Sequence, residues 1–149
     1  MIRTRFSIQP TEMKTEPRET LFRVANLAQA HMAIHAAEES GLFPLLLSPP
    51  NTPAFMGTPW WLAMMRCLRT EGVAFADILD CGSSAGHAVA ALGHGQKQIL
   101  FSDRSPQTKA VHLLAASLDA QVHSFLPASC DLTGCVTLEQ ARKALGTLT

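Results

Sequence analysis

ADILDCGSSAGHAVAALGHGQKQILFSD, residues 76–103, decides the fold. Ile78 and Leu79 lie in a short apolar run that Cys81-Gly82 closes, the pattern of a buried parallel strand. Ser83 or Ser84 can cap the next element, because a hydroxyl satisfies a free N–H at a helix start. Small apolar residues follow, Ala85, Ala88, Val89, Ala91 and Leu92, and they let a helix lie close on a sheet. Gly93 and Gly95 supply stop signals. Gln98 to Ser102 is again short and apolar. Roughly twenty residues separate the two runs, too many for a hairpin and right for a crossover, so the stretch reads as one parallel βαβ unit.

The same pattern repeats outward. Ser105-Pro106 starts a helix over Gln107 to Asp119, QVHSFL (Gln121 to Leu126) is a further strand, and PASCDLTG is a loop. Thr137 and Gln140 form a capping-box arrangement at the head of a last helix, to Leu148. On the other side, Thr58-Pro59 opens a helix that runs to about Gly72. LFPLLL (Leu42 to Leu47) reads as a strand with Pro44 at its start or on a sheet edge. The prolines of SPPNTPAFMG (Ser48 to Gly57) exclude helix there. Leu21, Val24, Ala28 and Met32 make a helical stripe, so a helix is expected from Glu19 or Thr20 to about Ser40. Residues 1–19 alternate at Ile2, Thr4, Phe6 and Ile8 and suit an N-terminal arm, an edge strand or a frayed tail. The expected domain, residues 20–149, is a single Rossmann-like α/β layer structure. It has a mostly parallel sheet of about four strands, near 42–47, 76–81, 98–102 and 121–126, with helices on both faces.

The totals narrow the function. A chain of 149 residues with 47% hydrophobic content builds one cored domain. Twelve basic and twelve acidic residues cancel, and no basic block points to nucleic acid or a membrane surface. No run is long and apolar enough to span a bilayer, and MIRTRFSIQP lacks a secretory apolar core, so the cytoplasm is the expected compartment. Cys67, Cys81, Cys130 and Cys135 form no CxxC pair. They read as small buried hydrophobes or idle thiols, with a Cys130–Cys135 disulfide disfavoured in a reducing setting. His31 and His35 are four residues apart on the border of a helical stripe, without the HExxH pattern or a third ligand, and read as packed or half-exposed.

Two surfaces are expected to act. In open parallel sheets ligands bind beyond the carboxyl ends of the strands. Asp80, Gly82, Ser83, Ser84, Gly86 and Asp103 are the ligand-binding candidates there, with Asp131 in the last loop. None pairs with His or Ser at a catalytic spacing, so no catalytic or metal residue is assigned. The helix Trp60–Leu68 is apolar almost all round. Trp60, Trp61, Met64 and Met65 therefore read either as core or as the anchors of a homodimer, which zero net charge does not oppose.

The central stretch resembles the cofactor motif of class I S-adenosylmethionine-dependent methyltransferases. ILDCGSSAG carries Asp80, Gly82 and Gly86, with Ser84 where the middle glycine falls. ILFSDRSP carries Asp103, where that family holds ribose hydroxyls, and SCDL carries Asp131. The resemblance covers about Ile78 to Leu132 and implies a small nucleotide-like ligand. LDCGSSAG, ILFSDRSP and VTLEQARKAL also resemble the order of STAS-type regulatory domains, which implies that Ser83 or Ser84 is modified. The general pattern is similar to that of small bacterial α/β proteins, which implies no activity. The leading expectation is a non-catalytic domain that binds a partner or small ligand at the carboxyl edge of its sheet. The alternative is a methyltransferase-like protein.

Overall fold

The computed structural model describes residues 16–102, 104 and 106–148. Six strands form one sheet, all parallel: β1 (Glu19–Arg23), β2 (Phe43–Leu47), β3 (Ala76–Asp80), β4 (Gln98–Leu100), β5 (Gln121–His123) and β6 (Cys130–Asp131). The helices are α1 (Leu27–Glu39), α2 (Thr52–Phe55), α3 (Thr58–Thr70), α4 (Ala85–Gly93), α5 (Gln107–Ser117) and α6 (Leu138–Leu148). The order across the sheet is β5-β4-β3-β2-β1-β6. The central βαβ unit, β3-α4-β4, is where the sequence puts it. Residues 1–15, and with them most of the proposed arm, lie outside the described residues.

Two strands exceed the four expected. β1 replaces the front of the expected first helix. Its residues pair in register with β2, Thr20 opposite Pro44 and Phe22 opposite Leu46, so both neighbours hold it extended. The helix starts only at Asn26, whose side chain accepts from the Gln29 N–H at 2.8 Å. β6 is two residues long, Cys130 opposite Phe22 and Asp131 opposite Arg23, and lies in the expected loop. The loop after β2 contains α2, where Pro53 occupies the first turn and needs no N–H donor. Pro44 precedes the pairing of β2 with β3, which begins at Leu45, so its missing donor costs that ladder nothing.

Helices on both faces were expected; among the described residues they share one. From β1 to β5 each strand is laid beside its predecessor in the same direction, and right-handed crossovers then put the helices between them on the same side; α6, after the last strand, packs on α1. One core cluster accordingly joins strand residues Phe22, Leu46, Leu79 and Ile99 to residues of α1, α3, α4, α5 and α6. The opposite face carries a second cluster of Leu21, Leu47 and Ile78, against which Leu45, Leu100 and Leu126 pack. No helical residue belongs to it. Leu126 comes from residues 124–129, which lead from β5 at one sheet edge to β6 at the other.

That connection curls the sheet. Five interstrand steps of about 4.8 Å come to about 24 Å across a flat sheet. Seven residue steps reach at most about 25 Å, and here they must also pass over side chains. Glu19 on β1 and His123 on β5 line one cavity, although a flat sheet would hold them about 19 Å apart. The helix-free face is therefore concave.

Between α3 and β3 the core contains one charged node. Asp77 accepts from Trp61 Nε1 at 2.9 Å and from Gln96 Nε2 at 2.9 Å, and pairs with Arg69. Asp77, Trp61 and Gln96 are buried; the Asp77 carboxylate accepts from both of the others, and the Gln96 amide also donates to the Gln98 carbonyl at 2.9 Å. Asp77→Ala leaves the buried indole N–H without an acceptor and Arg69 without its carboxylate, and is expected to lower stability by about 2–4 kcal/mol in urea unfolding. A loss under about 1 kcal/mol would mean that the node does not hold α3 to the sheet.

Candidate functional site

The carboxyl edge of the sheet is polar, and its strand-end charges are engaged within the chain. Arg23 ends β1, and its Nη1 donates to the Ser48 carbonyl at 2.7 Å and to Asp80 Oδ2 at 3.2 Å. It thereby bridges β1 to β3 across the end of β2. Asp80 Oδ1 accepts from the Gly82 N–H at 2.9 Å, while the Asp80 N–H donates to Ser48 Oγ at 2.8 Å. Asp131, beside Arg23 on β6, accepts from the Thr133 N–H and hydroxyl. Those hydrogen bonds, with the Arg23 charge, hold its carboxyl below the usual range.

The glycine turn has an internal explanation. Gly82 has φ +63°, and a Cβ built there would sit 3.1 Å from Asn51 Oδ1. The close approach that needs glycine is made by the loop after β2. Ser84 caps α4 through its His87 N–H bond of 3.2 Å, and Ser83 is exposed. Gly86 is exposed in the first turn of α4, and a Cβ there would meet only Ser84 Oγ at 3.8 Å. Asp103 lies outside the described residues. Asn51 Oδ1 and His87 Nδ1 are buried without a partner beside this turn.

A cavity of about 570 Å³ occupies the other half of the concave face. Strand alternation builds it: residues of β1 to β5 two apart point away from the helices. Leu21, Leu45, Ala76, Ile78 and Leu126 give it an apolar floor, and Glu19, Gln98, Gln121 and His123 a polar rim. Gln98 stands opposite Gln121 in the register of β4 and β5. His123 Nε2 lies 2.9 Å from Gln98 Oε1, so the imidazole donates and the amide carbonyl accepts. Burial pushes the His123 pKa down, against the opposing pull of the Glu19 carboxylate, and the neutral ring is favoured. Phe125 lines the same cavity at 85% exposure.

The proposed interface residues are accounted for within one chain. Trp61, Met64 and Met65 are buried in the main core, and Trp60 is half-buried against it. What α3 exposes is Pro59, Ala63, Arg66, Cys67, Arg69 and Thr70. His31 Nε2 bonds the Glu71 carboxylate at 2.9 Å, and His35 approaches Glu39 at 4.0 Å. Among the described residues no group of three or more potential metal ligands comes together. All four cysteines are free thiols. Burial pushes Cys81 up to about 12 and Cys130 up to about 11. No helix among the described residues is long and apolar enough to cross a membrane. Comparison with models of known protein families finds no match, and comparison with curated proteins finds no relative.

Sequence reasoning named Asp80 and the glycine turn but missed Arg23, whose partner is far along the chain. It also missed the rim. Gln121 and His123, two apart around Val122, are the local signal that one side of β5 is polar.

Two substitutions separate the internal explanation of the turn from a ligand-driven one. Gly82→Ala is expected to destabilise by about 1–3 kcal/mol, through positive φ and contact with Asn51. Gly86→Ala removes a flexible residue from an open helical position and is expected to raise stability by about 0.5–1 kcal/mol. Equal losses at both positions in denaturant unfolding would contradict this reading.

Thiol reactivity follows from burial and thiolate content. Native protein at neutral pH is expected to label first at exposed Cys67, with Cys81 and Cys130 reacting only on unfolding. Mass mapping of the labelled peptides reads the order, and early labelling of Cys81 would contradict the packing of β3.

Proposed function

We propose that this protein is a non-catalytic binding domain that takes a small ligand on the concave, helix-free face of its sheet. The observation that carries this reading is the cavity there, with an apolar floor and a few polar groups at its rim. Its volume falls within the roughly 300–1,000 Å³ of small-molecule sites. A parallel sheet normally buries both faces; among the described residues this face is covered by Leu126 of the connection between β5 and β6, and the end of α6 reaches the cavity only at Leu148. The rim suits recognition more than chemistry: carboxamides neither give nor take protons near neutral pH, and the His123 ring is tied to one of them. The carboxyl edge, first expected to bind, is the weaker location. Its carboxylates, arginine and serine already satisfy one another.

The runner-up is a nucleotide-like cofactor at the β3–α4 turn, as in the methyltransferase resemblance. The unpartnered Asn51 Oδ1 and His87 Nδ1 favour it. Against it, that turn lies within a run of strands wound in one direction, whereas ligands of open sheets gather where the strand order reverses. Here the reversal falls between β1 and β6.

Thermal unfolding of the full chain with S-adenosylmethionine, with simple aromatic and aliphatic acids and with purine nucleosides separates the two. A ligand at 100 times its dissociation constant adds about 2.7 kcal/mol. The expected result is stabilisation by a compound whose amide chemical-shift changes fall on β2, β3, β4 and β5 around the cavity. Changes confined to residues 81–88, on addition of S-adenosylmethionine, would support the runner-up and contradict the proposal.

A further inference from the structure

We propose that the ligand of the concave face is an uncharged planar nitrogen heteroaromatic of purine-nucleoside size, stacked on Phe125 and contacted at its edge by Gln98 and Gln121. This rests on the reading that the concave face binds a small molecule, and it names the class of that molecule.

Three features of the cavity point to this class. The first is Phe125, an aromatic ring left 85% exposed in a segment whose neighbour Leu126 is packed on the sheet. Since it lines the cavity, a flat ring entering there gains a stacking surface. The second is the pair of carboxamides. Gln98 and Gln121 stand opposite each other on adjacent strands, and each offers a donor and an acceptor on one planar group. A carboxamide matches a heteroaromatic edge that presents an acceptor beside a donor, as adenine does with N7 and N6. The His123 bond to Gln98 Oε1 fixes which end of that amide is engaged within the chain. The amino end of Gln98 has no partner among the described residues and can donate to a ring nitrogen. The third is charge. The lining holds one arginine, Arg18, and one carboxylate, Glu19, and the histidine is held toward its neutral form. One guanidinium balanced by one carboxylate leaves no net positive charge to offset the desolvation of a phosphate or a free carboxylate, which favours a base or nucleoside over a nucleotide. The apolar floor of Leu21, Leu45, Ile78 and Leu126 faces the remaining surface of the ring system.

The test is titration of the full chain with adenosine, inosine, adenosine monophosphate and decanoate, followed by calorimetry and by amide and imidazole chemical shifts. Adenosine is expected to bind with shifts at Gln98, Gln121 and His123, and more tightly than its monophosphate. Phe125→Ala is expected to weaken binding by about 5- to 150-fold, the range spanned by loss of one base–aromatic stack. At 85% exposure its removal leaves the unfolding temperature of the free protein unchanged, and Phe125→Trp is expected to restore affinity. Gln121→Ala is expected to narrow the preference between adenosine and inosine. Binding of decanoate in the cavity without any of the purines would overturn the heteroaromatic class and leave the concave-face reading standing. No binding by any probe would overturn both. Tighter binding of the monophosphate, or unchanged adenosine affinity in Phe125→Ala, would also overturn the proposal.

Discussion

The structure depends on a constraint of handedness. A parallel strand–helix–strand crossover is right-handed, so its helix falls on a side set by the direction in which the next strand is laid down. From β1 to β5 that direction never changes. All the crossover helices must then share a side, and the main core forms between them and the strand residues that face them. Asp77 reinforces this layer by tying α3, through Trp61 and Arg69, to β3. The other side of the sheet cannot be covered by the same device. β6 reverses the direction, returning beside β1, and its connection from β5 is too short to hold a helix. It draws the sheet into a curve and lays Leu126 on the apolar strip of Leu21, Leu47 and Ile78.

The proposed function rests on what is left uncovered. A strand presents alternate residues to opposite faces, so whatever occupies the helix-free positions becomes a wall of the hollow. Toward the carboxyl ends those positions hold Arg23 and Asp80, which pair with each other, and Asp131, which accepts from Thr133. Toward the amino ends they hold Glu19, Gln98 and Gln121 around apolar residues, with room between them. The first arrangement stabilises the strand ends, and the second is suited to an occupant. Acid also acts on this half. Burial keeps the folded pKa of His123 below its value of about 6.5 in an unfolded chain. The unfolded state therefore binds more protons as pH falls through that value. The stabilising contribution of the neutral ring is full above it and is lost below.

Much of the fold was legible because local signals agree with it. The run before Gly82 and the capping box of Thr137 and Gln140 stand as read; of the alternatives offered, Ser84 caps α4 and Gly95 is the left-handed glycine beyond its end. β1 was not legible. Leu21 and Val24 continue the spacing of Ala28 and Met32, and the extended state of Thr20 to Arg23 comes from pairing with two distant strands. β6, at two residues, carries no period at all. The single helical layer was hidden for a related reason. Leu21, Leu47 and Ile78 make the strands apolar on both sides, as in a sheet with two helical layers, but a curled sheet and one leucine bury that strip instead. For the site, the sequence marks Gly82 as a glycine turn but not the neighbour that crowds it, Asn51 from the loop after β2. Arg23 and Gln98 escaped notice, and His123 reads as a surface or packing residue, because their meaning depends on strand order, which no local pattern contains.

The central claim is that the second face of the sheet is covered by the returning connection and not by a helix. Methyl–methyl nuclear Overhauser contacts in protein labelled at Ile and Leu test it directly. The account predicts that the Ile78 methyls contact those of Leu21, Leu47 and Leu126, and not those of the buried helical leucines. Contacts from Ile78 to Leu68, Leu92 or Leu145, all of which belong to the helical layer, would contradict it.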